Sequence, residues 1–271
     1  SDQSFCTSEN ATVANLIPQG NQYQWFDSDT STTALSNTTL LLTGDYFVKE
    51  VNLATGCESS FKMINVTINQ TPQIDTARLS IATTCQSYNV TVLLGGSSNL
   101  ADGKYNILYD LSGDNIGTGI AAELNVTSGI GVFRIPAAVA PNAGSTTVSI
   151  TNITNSITNC TNTVNLSKSF TTNPLPDISN MAVDINNVCL GQPATVVITG
   201  LGSLNKININ FSLSGANVVR IKTISLNVVS GQTDFVIPVS DITNAGVTTF
   251  NMTNITNTEN GCPIFIDHKT D

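Results

Sequence analysis

The segment 131–160, GVFRIPAAVAPNAGSTTVSITNITNSITNC, returns 102 residues later as 233–262, TDFVIPVSDITNAGVTTFNMTNITNTENGC, with 14 of 30 positions identical and no gap. The identities include Phe133/Phe235, the Ile-Pro pairs at 135–136 and 237–238, the Asn-Ala-Gly triplets at 142–144 and 244–246, the five residues 151–155 and 253–257, and the closing Cys160/Cys262. Further upstream, NILYDLSG at 106–113 returns as NINFSLSG at 208–215 in the same register. A self-match at a fixed offset of about one small domain makes the chain an array whose unit is the module. A length of 271 residues admits two or three domains, and the repeat selects three, at 1–73, 74–174 and 175–271. The boundaries fall at Thr71-Pro72-Gln73 and at Asn173-Pro174-Leu175-Pro176. Proline cannot continue a central strand ladder, and closely spaced prolines stiffen a linker.

Within the modules the pattern is that of strands. In the first, alternation at 11–16 predicts a strand and the aromatic run Tyr23-Gln24-Trp25-Phe26 another. The stretches 46–51 and 61–68 read as a hairpin with Thr55-Gly56-Cys57 at its turn. The second module opens at Cys85 and continues into a strand at 88–94 that turns at Gly95-Gly96; the third opens at Cys189 and continues into 194–199. Helical spacing is absent. The expected fold class is all-β, three tandem sandwich modules in an elongated array. With strands of 6 to 8 residues at about 3.3 Å each, three modules in line span ~100 Å.

Composition narrows the partners. Charged residues make up 11% of the chain, well below the usual share, and the net charge is −9. No Lys/Arg cluster reverses that field locally, which argues against nucleic acid and anionic membrane. No apolar run reaches the ~18 residues of a membrane span, because Arg134 and Pro136 interrupt the best candidate. Any export signal is expected to have been removed or to lie outside the chain.

The six cysteines fall two per module, and the spacing selects three disulfides, each closing one module: Cys6 with Cys57, Cys85 with Cys160 and Cys189 with Cys262. Six cysteines admit 15 connectivities, and modular spacing alone favours this one. Loops of this size would each contribute on the order of 4 kcal/mol in the chain-entropy model, and persistent disulfides imply an oxidising, exported setting. A metal site is the rival reading, but there is no C-x-x-C and the one histidine is His268.

The order Cys6, Tyr23-Gln24-Trp25-Phe26, Gly44-Asp45-Tyr46-Phe47-Val48, Thr55-Gly56-Cys57 and Val66-Thr67-Ile68 resembles the immunoglobulin-like modules of large Bacteroidota surface adhesins. The resemblance covers the first module; the other two lack the Trp strand. It implies Ig-like sandwiches in a many-module adhesin of the gliding-motility type, exported by the type IX system across the outer membrane to the cell surface. In antibody-type sandwiches the disulfide pins the two sheets through the core. Here Cys57 sits in a turn, so the bond is expected at one pole of its module.

Other constellations are weaker. Tyr23 and Trp25 can stack on a sugar, but core packing accounts for Trp25 unaided. Asp27-Ser28-Asp29, and Asp110 with Asp114, carry calcium-type oxygen ligands, yet neither matches a D-x-D-x-D-G loop and both read as solvated turns. Asp75-Thr76-Ala77 resembles the Asp-Ser/Thr-apolar acceptor of Bacteroidota O-glycosylation, making Thr76 a candidate glycan site at a junction. Asn-x-Thr at Asn65, Asn125, Asn152 and Asn254 is expected by chance in so Asn- and Thr-rich a chain. No residues form a recognisable catalytic motif, and neither a metal nor a cofactor is expected. The function this supports is a structural shaft of an exported adhesin; the alternative is a carbohydrate-binding or enzyme-accessory module. Expected partners are neighbouring modules of the same chain, with surface polysaccharide or accessory surface proteins as further candidates and edge-strand pairing as a route to filaments.

Overall fold

A computed structural model describes residues 1–96 and 100–270, the side chains of 267–269 excepted. The described residues are all-β, with three short 3-10 turns as their helical elements. Among the described residues nineteen strands gather around three hydrophobic clusters, and the sheets break where the prolines predict.

The N-terminal group holds β1 (Gln3–Cys6), β2 (Tyr23–Phe26), β3 (Gly44–Glu50) and β4 (Lys62–Asn69) in the order β1-β4-β3-β2. β1 runs parallel to β4, which places Cys6 opposite Asn69 at the end of the sheet nearest the next group. Cys6 is the last residue of β1. The segment 11–16 is not the expected strand. Its residues 13–15 form a 3-10 turn, because the Asn15 carboxamide accepts the Thr12 amide at 2.8 Å and curls the backbone. Val13 and Leu41 are nevertheless held in the core, since Val13 N–H donates to Thr39 O and Leu41 N–H to Ala11 O.

The central group holds β5 (Ala77–Ile81), β6 (Thr84–Cys85), β7 (Val90–Gly96), β8 (Gly103–Gly113), β9 (Gly117–Thr127), β10 (Ile130–Ile135), β11 (Gly144–Asn155) and β12 (Thr161–Asn173). Gly95 and Gly96 lie within β7, not in the turn expected for them. The order is β5-β7-β10-β9-β8-β11-β12-β6, and β9 pairs with β8 along most of its length and with β10 at its end. Alternation is strict where it matters: Tyr105, Ile107, Tyr109 and Leu111 of β8 are buried, as are Val90, Val92 and Leu94 of β7.

The C-terminal group holds β13 (Ala182–Ile185), β14 (Ala194–Thr199), β15 (Lys206–Gly215), β16 (Val219–Asn227), β17 (Thr233–Ile237), β18 (Thr248–Asn257) and β19 (Pro263–Thr270). It forms two sheets, β13-β14-β17 and β16-β15-β18-β19. The central group has the same two rows, β5-β7-β10 and β9-β8-β11-β12. In each, the first, second and fifth principal strands make one row and the fourth, third, sixth and seventh the other, an Ig-like sandwich arrangement; the rows are separate sheets in the C-terminal group and are joined into one eight-stranded sheet by the β9–β10 pairing in the central group. The 102-residue repeat also holds in the core, where Tyr109 packs on Phe133 at 5.6 Å between ring centres and Phe211 on Phe235 at 5.2 Å.

The identical stretches have structural causes. Thr151 and Thr253 are the unpaired residues of matching β-bulges in β11 and β18, and their hydroxyls donate to Leu108 O and Asn210 O. The Asn-Ala-Gly triplets complete a buried asparagine corner. Asn115 is 2% exposed; it donates to Asn142 O at 3.0 Å and Thr146 Oγ1 at 2.8 Å and accepts from Asn142 N at 2.9 Å. Asn217 repeats those bonds with Asn244 and Thr248.

Candidate functional site

One turn occurs three times. It joins β3 to β4, β11 to β12 and β18 to β19, beginning at Asn52, Asn155 or Asn257 and closing five residues later at Cys57, Cys160 or Cys262. In each copy the asparagine amide donates to the cysteine carbonyl, at 2.8, 2.9 and 3.0 Å, and the residue before the cysteine donates back to the asparagine carbonyl. That preceding residue, Gly56, Asn159 or Gly261, has φ of 73°, 58° or 74°, the left-handed region that glycine and asparagine tolerate best. The asparagine carboxamide accepts one or two amides inside each turn, as at Ala54 and Thr55, Ile157 and Thr158, and Glu259. The cysteine is thus delivered to the tip of a rigid hairpin, at a pole of its group.

A second cysteine position also recurs. Cys6 on β1 and Cys85 on β6 each lie parallel to the last strand of their own group, opposite Asn69 and Asn173. These are the residues that lead into the proline linkers, so each cysteine stands beside the point where the chain leaves for the next group.

The two positions meet across the boundary. Cys6 is bonded to Cys160 and Cys85 to Cys262, each with S–S near 2.0 Å and Cα atoms 5.5 Å apart. The expected pairing within modules is therefore corrected: Cys6 does not pair with Cys57, Cys85 with Cys160, or Cys189 with Cys262. Cys57 and Cys189 are free and exposed. The physical reason is that the leading strand and the hairpin tip lie at opposite poles of a group, so a leading cysteine reaches the hairpin of the following group and not its own. Each joint is tightened by polar contacts. The Asn69 carbonyl lies 3.9 Å from Cys160 Sγ and the Asn173 carbonyl 4.0 Å from Cys262 Sγ. Asn162 Nδ2 donates to Pro72 O and Asn260 Nδ2 to Pro174 O. Thr71, 1% exposed, accepts the Ser8 amide on its hydroxyl and donates its own amide to Thr7 Oγ1.

Trp25 is 5% exposed within the N-terminal core beside Val48 and Val66, and Tyr23 is half-buried against that cluster. The Trp25 ring is therefore a core element rather than a platform open to a sugar. Thr76 is exposed on the turn preceding β5. Of the aspartates weighed as calcium ligands, two are backbone ties and not merely solvated turn residues: Asp110, within β8, accepts the Gly119 amide at 2.7 Å and Asp114 the Ser145 amide at 2.6 Å. His268 lies on β19, its side chain outside the described residues. Among the described residues no group of three or more His, Cys, Asp and Glu side chains gathers to hold a metal, and no helix is long and apolar enough to cross a membrane.

Few groups titrate unusually. Burial pushes the Tyr109 hydroxyl above the ordinary tyrosine value. That hydroxyl is buried with no hydrogen-bond partner among the described residues. On the surface, hydrogen bonds from Lys104 and then Asn125 hold the Glu123 carboxyl below its usual value.

No family model matches the chain, and no curated protein matches it. Among solved structures, it is similar to the FN1–FN3 domains of chicken CNTN1, at 13% identity over 92% of this chain and 90% of that one with a TM-score of 0.40. It is also similar to titin domains I67–I69, at 10% identity over 93% and 90% with a TM-score of 0.35. The immunoglobulin domains 1–5 of Sidekick-1 match at 11% identity over 90% and 50% with a TM-score of 0.30. These neighbours are Ig- and FN3-like domain proteins.

Proposed function

We propose that the chain is a load-bearing shaft segment of an exported cell-surface protein, made of three Ig-like modules, 1–73, 74–174 and 175–271, set in line. The observation that carries this reading is the double crossing of each joint, once by a proline-bearing linker and once by a disulfide between modules. A disulfide inside a core mainly stabilises that core; one across a joint fixes the direction in which successive units point. Orientation is what a projecting shaft requires. Disulfides persist in oxidising compartments, consistent with an extracellular setting, and the motif order of the first module resembles that of Bacteroidota surface adhesins. The role is mechanical rather than catalytic.

Small-angle scattering of the 271-residue chain tests the reading. A rod with a maximum dimension near 100 Å that keeps its profile under dilution, and bends on a mild reduction that leaves the β circular dichroism intact, supports it. A compact particle, or a rod whose profile ignores reduction, opposes it.

A further inference from the structure

The bonded cysteines obey one rule: the leading-strand cysteine of a unit bonds the hairpin cysteine of the unit that follows. Cys6–Cys160 and Cys85–Cys262 are two instances. Cys57 and Cys189 are the two positions the rule leaves open. Cys57 closes the same Asn-initiated turn as Cys160 and Cys262, with the same two backbone hydrogen bonds and the same left-handed residue before it. The difference is the covering. Cys160 and Cys262 are 0% exposed because a preceding unit sits over them, whereas Cys57 is exposed, as is Leu53 of the same turn at 70%. Cys189 follows β13, the first strand of the C-terminal group, as Cys85 follows β5 in the central one; it lies in the loop after β13 and not on a paired strand, and it is exposed, flanked by Val188 at 39% and Leu190 at 61%. Each thiol therefore stands beside exposed apolar side chains.

We infer that Cys57 and Cys189 are the two complementary halves of a further joint, each forming a disulfide with the opposite-type cysteine of an adjoining Ig-like unit: Cys57 with a leading-strand cysteine before it, Cys189 with a hairpin cysteine after it. The inference rests on the array reading, and the two fail separately, since scattering tests the array and disulfide mapping the joint. The partner chemistry is a unit of the same kind, supplied by the same polypeptide or by a second copy of this chain joined head to tail. Head-to-tail joining is a heterologous contact that does not close on itself and so propagates as a filament. The bond forms from two thiols, which lose two protons and two electrons to a disulfide oxidant. With oxidised glutathione, one molecule becomes two of reduced glutathione for each joint made.

The test is to incubate the purified 271-residue chain at high concentration with a glutathione redox pair, then resolve it without reduction and map cross-linked peptides. A ladder of oligomers whose new bridges are Cys57–Cys189, abolished at the dimer step by either C57S or C189S, supports the inference with copies as the source. In native material, a Cys189 or Cys57 peptide linked to a peptide of the same polypeptide outside these 271 residues supports it with the polypeptide as the source. Equal β circular dichroism and melting of the two variants shows that loss of the ladder is not loss of fold. Bridges in the statistical ratio of Cys57–Cys57, Cys57–Cys189 and Cys189–Cys189, or native material in which both thiols remain alkylatable without reduction, overturn it.

Discussion

Cys6 and Cys160 stand 154 residues apart in sequence and 5.5 Å apart at Cα, and the bond between them closes no single hydrophobic core. It spans the boundary between the N-terminal and central clusters, as Cys85–Cys262 spans the next. The two closed loops overlap between residues 85 and 160, so the central group belongs to both.

This pairing fixes the thiol count. Alkylation of the folded monomer should label two cysteines, in the peptides carrying Cys57 and Cys189, and six after denaturing reduction. Intact mass and peptide mapping read both numbers. Zero labels in the unreduced, denatured monomer would show a third disulfide and overturn the free state of Cys57 and Cys189.

The asparagine corners are expected to matter more than their surroundings suggest. Asn115→Ala strands the Asn142 amide and carbonyl and removes a buried bond to Thr146. A buried polar group left unsatisfied costs about 1–3 kcal/mol, so Asn115→Ala should lower denaturant stability by about 2–3 kcal/mol. Asn217→Ala should do the same in its own group, and Asn142→Ala by less, because the backbone bonds to Asn115 survive. Equal, negligible effects at all three positions would show that the corner is redundant.

Much of the fold is legible in the sequence because the repeat and the alternation are physical. Strand 194–199 matches β14 in both bounds, and the 102-residue register carries strand order and bulge position from one group to the other. Cysteine pairing is not legible, because spacing counts residues per module while bonding depends on which pole each cysteine reaches. The parallel pairing of β1 with β4 decides that for Cys6, and nothing local to Cys6 announces it. The N-terminal group misleads in another way: alternation at 11–16 looks like a strand, while Asn15 bonded back to Thr12 makes it a turn. The corner asparagines were visible as Asn115/Asn217 at the same offset, just past the end of the NILYDLSG match.

Tyr109 gives a pH-dependent prediction. Its hydroxyl is buried and without a partner among the described residues, and burial raises its pKa. Tyr109→Phe should therefore be neutral to stabilising, by up to about 1 kcal/mol. In the parent chain the unfolded state ionises this tyrosine near pH 10 while the folded state keeps it neutral. The unfolded state then binds fewer protons, and stability falls as pH rises through that range. Urea melts between pH 8 and 11 should show a shallower alkaline decline for the variant; identical slopes would show that Tyr109 does not contribute.

Trp25→Ala tests the core against the sugar platform. Removing a buried Trp costs about 3–5 kcal/mol, so the variant should melt far earlier, whereas Tyr23→Ala, at a half-buried position, should cost less. A glycan array on the parent chain should give no saturable signal that Trp25→Phe removes while stability is retained. Such a signal would reinstate the ring as a contact surface.

The overlap of the two loops sets how far the chain can be stretched. With both bridges intact, the shortest covalent route from Cys6 to Cys262 crosses to Cys160, runs back to Cys85 and crosses again, a path of 160 − 85 = 75 residues. With both reduced, the path is 262 − 6 = 256 residues. At roughly 3.3–3.6 Å per extended residue, these correspond to ~260 Å and ~900 Å. Single-molecule pulling from the termini should therefore show full extension rising about threefold when a phosphine reductant is added. Breaking one bridge separates the routes: Cys85→Ser leaves Cys6–Cys160 and a path of 262 − 160 = 102 residues, while Cys6→Ser leaves Cys85–Cys262 and a path of 85 − 6 = 79 residues. The first variant should extend ~90 Å further than the parent and the second by ~15 Å. Pairing within modules would give the parent a path of 28 + 29 = 57 residues, between 57 and 85 and between 160 and 189, or ~200 Å. An extension near that value, or one that reduction leaves unchanged, is incompatible with bridges that cross the joints.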